Sequence, residues 1–121
     1  MSAIEASSNP GAGSEGVLAR LSIDLRARRA VVGEGELYLS AREFDLLVAL
    51  VRDPERTITY EELIGEVFAG AAGVSRRMVD ANAARLRRKL ELRGAPGLLG
   101  RRQGVGFCLL ASGRSDLARP G

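Results

Sequence analysis

Two helix starts are written into this chain, and its fold must be arranged around them. Ser40-Ala41-Arg42-Glu43 and Thr59-Tyr60-Glu61-Glu62 are both capping boxes. In each, the hydroxyl accepts from the backbone N–H three residues on, and the Glu reaches back to the N–H of the cap. Phe44, Leu47, Val48 and Val51 follow the first at helical spacing; Leu63, Ile64, Val67 and Phe68 follow the second. The first helix is expected to run to about Arg52, where Asp53-Pro54 ends it. The second is short and is broken by Ala69-Gly70-Ala71-Ala72-Gly73.

A third helix is expected from an N-cap at Ser75 to about Arg93, with Gly94 as its stop. Val79, Ala83, Leu86 and Leu90 share one face. At about 100° per residue, Arg77, Ala81, Ala84, Arg85 and Arg88 fall opposite them, flanked by Asn82, Arg87 and Lys89. One side packs while the other presents guanidinium groups with two small residues between them. The charge of the whole chain is asymmetric in the same sense. Residues 1–74 hold 7 Arg against 12 acids, a net of −5; residues 75–121 hold 11 basic residues against 3 acids, a net of +8. Positive charge gathered in one segment is the footprint of a polyanion partner, and equally of a solvated basic face.

The rest of the chain reads as extended segments and flanks. Residues 1–16 are rich in Ser, Gly, Ala and Pro and read as a flexible leader. Leu21, Ile23 and Leu25 alternate with polar residues; Ala30-Val31-Val32 leads into Gly33-Glu34-Gly35, and Leu37-Tyr38-Leu39 returns. A small antiparallel sheet is expected over about 17–39. Residues 98–110 read as a β-hairpin with Arg101, Arg102 and Gln103 near its tip, and 111–121 as a loose tail. The domain is therefore placed at 17–110.

Composition removes most catalytic chemistry. There is no His, which excludes a His general base, a Ser-His-Asp triad and a His metal site. A single Cys, Cys108, excludes an intrachain disulfide and a thiolate zinc cluster. No apolar run approaches the roughly 20 residues that span a bilayer, and the N-terminal residues carry no export signal. The expectation is a cytoplasmic protein without cofactor, metal or membrane contact, and not an enzyme. Cys108 alternates with core positions of the hairpin and is expected to be a buried thiol.

Three helices, the last one basic, followed by a hairpin with arginines near its tip, describe an α+β winged helix-turn-helix. Leu39-Ser40-Ala41-Arg42-Glu43-Phe44-Asp45-Leu46-Leu47 resembles the first-helix signature of the OmpR/PhoB-type effector domain of bacterial response regulators. Val79-Asp80 through Arg85-Leu86-Arg87-Arg88-Lys89-Leu90 resembles that family's recognition helix, and Gly104-Val105-Gly106-Phe107 its wing. The resemblance covers about residues 17–110. It implies a four-stranded antiparallel sheet, a three-helix bundle and a C-terminal hairpin wing. It further implies transcription regulation in a two-component system: the third helix in the major groove of double-stranded DNA, the wing on backbone or minor groove, and dimers on direct repeats. The loop at residues 68–74 would face DNA backbone or RNA polymerase.

The sequence departs from that family in places. Residues 1–16 are too few to hold a receiver domain, so the chain is either an excised effector domain or a protein controlled in another way. Met78 replaces a small hydroxyl residue, Asn82 a frequent His, and Ala84 a frequent basic residue; Gln103 replaces the wing's Arg, and Arg102 an apolar residue. The candidate contacts are Arg77, Ala81, Asn82, Arg85, Arg87, Arg88, Arg101, Arg102 and Gln103. Arg85 and Arg88 are the candidates for base contact, Arg77 for phosphate, and Arg101 and Arg102 for phosphate or minor groove. Asn82 either reads adenine or fills polar space at the helix edge. Arg87 either meets DNA or pairs with an acid of the bundle. The alternative to specific DNA binding is a winged-helix module that binds a protein, with weak and sequence-blind DNA affinity.

Overall fold

Both capping boxes form as their spacing requires. In the computed structural model, which describes residues 3–5 (backbone only), 20–69 and 73–110, Ser40 Oγ accepts from the Glu43 N–H at 3.1 Å. The Ser40 N–H donates to Glu43 Oε1 at 3.0 Å, and helix α1 runs over Ala41–Val51. Thr59 and Glu62 repeat the exchange at the start of α2, Tyr60–Val67. Helix α3, Arg76–Leu92, begins differently. Ser75 occupies the N-cap position, but its side chain makes no capping bond. Its carbonyl instead accepts from the N–H groups of Met78 and Val79. Gly94 ends α3 at φ +85°, and the Ala95 N–H returns to the Leu90 carbonyl at 2.9 Å.

Four strands, β1 (Ala3–Glu5), β2 (Leu21–Asp24), β3 (Arg29–Val32) and β4 (Gly35–Leu37), pair antiparallel in that order. The expected sheet at 17–39 therefore gains its fourth strand from residues 3–5, which the sequence assigned to a leader. Residues 1–2, 6–19 and 111–121 lie outside the described residues. Two boundaries also differ from expectation. Leu25 is exposed in a turn, because the Asp24 carboxylate accepts from the N–H groups of Arg26 and Ala27 and ends β2. The return strand is Gly35–Leu37, which leaves Tyr38 exposed: Gly33, at φ +61°, turns the chain tightly enough to set Gly35 opposite Val32.

A second sheet, in the order β5-β7-β6, contains the hairpin β6 (Leu99–Arg102) and β7 (Gly106–Leu109). Its outer strand β5, Ile58–Thr59, comes from the α1–α2 connection. Gly106 faces Thr59 in this pairing, and a Cβ on it would lie 1.9 Å from the Ile58 carbonyl oxygen. Leu47, Leu50, Leu63, Val79, Leu86 and Leu109 are completely or almost completely buried where the helices meet the hairpin. Phe44, Phe68 and Phe107 join the same core.

Cys108 is buried in β7, and its burial pushes the thiol pKa up. It is expected to resist a disulfide reagent in the folded protein and to react fully in denaturant. Rapid native-state labelling would show that β7 opens.

Candidate functional site

The burial pattern of α3 divides it lengthwise. Val79, Ala83, Leu86 and Leu90 are buried against the rest of the bundle, whereas Arg77, Ala81, Ala84, Arg85 and Arg88 are exposed. Arg77 and Arg88 make no hydrogen bond or ion pair among the described residues. They lie about 16 Å apart along the axis at 1.5 Å per residue. Ala81 and Ala84 lie between them and leave the helix backbone approachable. The result is an exposed cationic ridge on a rigid, well-packed helix.

Arg85 differs from its neighbours on the ridge. Its Nε donates to Glu43 Oε2 at 3.2 Å, while its side chain remains 57% exposed. Glu43 belongs to α1, and its side chain is only 2% exposed. The same carboxylate accepts from Lys89 Nζ at 2.6 Å and from the Ser40 N–H. Burial pushes the Glu43 pKa up, but Lys89, the Ser40 N–H and Arg85 together outweigh it. Its carboxyl therefore titrates below the usual carboxylate range. Lys89 Nζ also donates to the Tyr38 carbonyl at 2.8 Å. The buried carboxylate thus connects α1, the end of the first sheet and the exposed ridge.

A second polar cluster joins the first turns of α3 to the hairpin. Asp80 Oδ1 accepts from the Tyr60 hydroxyl at 2.6 Å, and Asp80 Oδ2 lies 3.6 Å from Arg101. Burial, then the Asp80 carboxylate, push the Tyr60 pKa up. The Arg76 guanidinium sits 4.8 Å from the centre of the Tyr60 ring and donates to the Gly104 carbonyl at 3.4 Å. Arg76 also approaches Glu61 at 3.7 Å. These contacts fix the hairpin turn relative to the N-terminal half of α3.

The nine candidate residues separate into distinct groups. Arg77, Ala81, Arg85 and Arg88 form the ridge, and Asp80 holds Arg101 beside it. Gln103 is exposed in the hairpin turn. Arg101 and Arg102 lie within strand β6 instead of at the tip, so they point to opposite faces of it. Arg102 therefore turns away from α3, and its Nε donates to Thr57 Oγ1 at 3.2 Å. Arg87 reaches the Leu99 carbonyl at 3.5 Å, a hairpin contact in place of the acid expected as one alternative. Asn82 is 6% exposed, and its Nδ2 donates to the Met78 carbonyl at 2.9 Å, in keeping with the second of its two alternatives, polar space at the helix edge. At that position on the helix it faces the bundle and satisfies itself on its own backbone.

Three contributors were absent from the sequence reading: Arg76, Tyr60 and the Glu43–Lys89 pair. Glu43 was legible as a cap, but nothing local states that α3 crosses over it. Of the loop at 68–74, residues 70–72 lie outside the described residues. Among the described residues no helix is long and apolar enough to cross a membrane, and no group of three or more acidic or Cys side chains gathers to hold a metal.

Known proteins are similar to this chain in sequence and fold. The family described as transcriptional regulatory protein, C terminal, matches residues 34–109. The transcriptional regulatory protein PrrA of Mycobacterium tuberculosis is 37% identical over 89 residues, which is 74% of this chain and 38% of that protein. The phosphate regulon transcriptional regulatory protein PhoB of Escherichia coli is 33% identical over 87 residues, 72% of this chain and 38% of that protein. The chain thus spans well under half the length of these relatives. Among solved structures, the DNA-binding domain of response regulator AdeR in complex with an intercistronic region is similar at a TM-score of 0.69 and 25% identity. That similarity covers 75% of this chain and 93% of that one. The Klebsiella pneumoniae RstA DNA-binding domain in complex with the RstA box is similar at a TM-score of 0.65 and 26% identity, covering 76% and 92%.

Proposed function

The chain belongs to the family of transcriptional regulatory protein C-terminal domains, and on that premise we propose that it is a sequence-specific double-stranded DNA-binding effector domain that performs no catalysis. Helix α3 enters the major groove and the β6–β7 hairpin lies on adjacent backbone or minor groove. The observation that carries the reading is the division of α3 into a buried apolar face and an exposed ridge of Arg77, Arg85 and Arg88. A major groove about 12 Å wide admits such a helix. Arg77 and Arg88, without internal partners, are assigned to phosphate. Arg85 is assigned to a base, with Arg101 and Gln103 of the hairpin beside the groove. The target is a direct repeat read by two copies, and the segment 68–74 faces DNA backbone or RNA polymerase.

The test is selection from genome fragments, followed by a salt titration on the enriched site. Each phosphate contact contributes about −0.9 to the slope of log K against log salt. Arg77→Ala and Arg88→Ala are each expected to make that slope shallower by about 0.9 while leaving the selected motif unchanged. Absence of an enriched motif, with affinity indifferent to both substitutions, would overturn the reading. Tight capture of a protein in that case would favour an interaction module.

A further inference from the structure

We propose that Glu43, buried in α1, is a positioning residue for sequence reading: it holds Arg85 by Nε so that both Nη groups meet one base end-on. The proposal rests on the DNA-binding reading above and extends it by giving an inaccessible carboxylate a share in specificity.

Arg85 has five N–H donors in a rigid fork. One of them, Nε–H, is taken by Glu43 Oε2 at 3.2 Å. The four Nη hydrogens have no partner among the described residues, on a side chain 57% exposed. Those Nη groups are the pair that forks onto the O6 and N7 acceptors of guanine. Glu43 is itself fixed, by Lys89 Nζ at 2.6 Å, by the Ser40 N–H at 3.0 Å and by its burial. A guanidinium tied to a fixed anchor has less freedom to lose on binding than a free one, and its fork is aimed in advance. Arg77 and Arg88 have no such anchor, which suits them to phosphate and Arg85 to a base. Lys at position 85 would keep the charge next to Glu43 but has no fork to present.

The experiment compares the parent, Glu43→Gln, Arg85→Ala, Arg85→Lys and the double variant Glu43→Gln/Arg85→Ala on the selected site and on its single-base variants. Gln at position 43 retains an acceptor for the Ser40 N–H, so the cap survives. Glu43→Gln is expected to reduce discrimination at one base pair by about tenfold, with weak-site affinity little changed. Arg85→Lys is expected to lose discrimination at the same base pair. The double variant is expected to discriminate no worse than Arg85→Ala alone, because Glu43 acts through Arg85. Full discrimination in Glu43→Gln, an equal loss on every sequence, or an added loss in the double variant would each overturn the proposal. Should Glu43→Gln not fold, Arg85→Lys decides, and undiminished discrimination there overturns it. A parent that enriches no site overturns the DNA-binding reading itself, whatever the variants do.

Discussion

Gly106→Ala is expected to lower the melting temperature by roughly 15 °C. The new Cβ would lie 1.9 Å from the Ile58 carbonyl oxygen, 2.8 Å from its carbon and 2.9 Å from Thr59 Cα. All three atoms are backbone, so no side-chain rotation relieves the clash. The remaining relief is to separate β5 from β7, which breaks the Ile58–Phe107 and Thr59–Gly106 pairing. It also strains the two bonds that flank it, Glu55 N–H to Leu109 carbonyl at 2.7 Å and Tyr60 N–H to Val105 carbonyl at 3.0 Å. Overpacking a rigid site costs about 1–3 kcal/mol, and a backbone clash belongs at the upper end. For a domain of this size each kcal/mol shifts the melting temperature by roughly 4–8 °C. Gly65→Ala serves as the control: it lies within α2, a Cβ there meets nothing within 4 Å, and helix propensity favours Ala by somewhat under about 1 kcal/mol. Thermal unfolding followed by circular dichroism separates the two. A Gly106→Ala variant that melts within a few degrees of the parent would show that β5 is not held against β7.

Lys89→Met is expected to destabilise the domain by about 2 kcal/mol at neutral pH and to move acid unfolding to higher pH. Removing one partner of a buried ion pair typically costs about 3–5 kcal/mol. Here Arg85 and the Ser40 N–H remain on Glu43, which lowers the figure. The pH effect follows from the direction of the Glu43 shift. Its pKa is lowered on folding, so the stability it contributes is present above the unfolded carboxylate value of about 4.3 and is lost as pH falls through the folded value. Glu62 and Glu36, also lowered, act in the same direction. Without Lys89 the upward push of burial on Glu43 is less opposed, its folded pKa rises toward the unfolded value, the stability it contributes shrinks, and the less stable domain reaches its acid midpoint at a higher pH. Urea titrations at pH 7 and an acid titration at fixed temperature measure both effects. An unchanged acid midpoint would mean that Lys89 does not govern Glu43.

The helices were legible in the sequence because their signals are local. Ser40 with Glu43, Thr59 with Glu62, and Gly94 mark ends that neighbouring atoms decide. The amphipathic split of α3 was legible for the same reason, since 3.6-residue periodicity alone places Arg77, Arg85 and Arg88 opposite Val79, Leu86 and Leu90. Contacts between elements were not. Ile58-Thr59 is too short to announce a strand, and becomes one because β7 passes beside it. Ala3–Glu5 pairs with β2 across a long separation that no pattern records. Arg101 and Arg102 look equivalent as neighbours in sequence, yet β6 sends one to Asp80 and the other to Thr57. Asn82 lies on the flank of the ridge on a helical wheel, and only the packed bundle shows that its edge of α3 is covered.

The origin of β5 also has a consequence for how the chain emerges from a ribosome. Its partner residues Gly106 and Phe107 are added 47 and 49 residues after Thr59 and Ile58 respectively. At about 5–20 residues per second, that interval lasts several seconds. By the end of it the nascent chain contains both capping boxes and all of α3, but the strand between α1 and α2 still has an empty edge. A chain halted before β7 would therefore contain every residue of the ridge and still lack the strand that joins β5 to the hairpin.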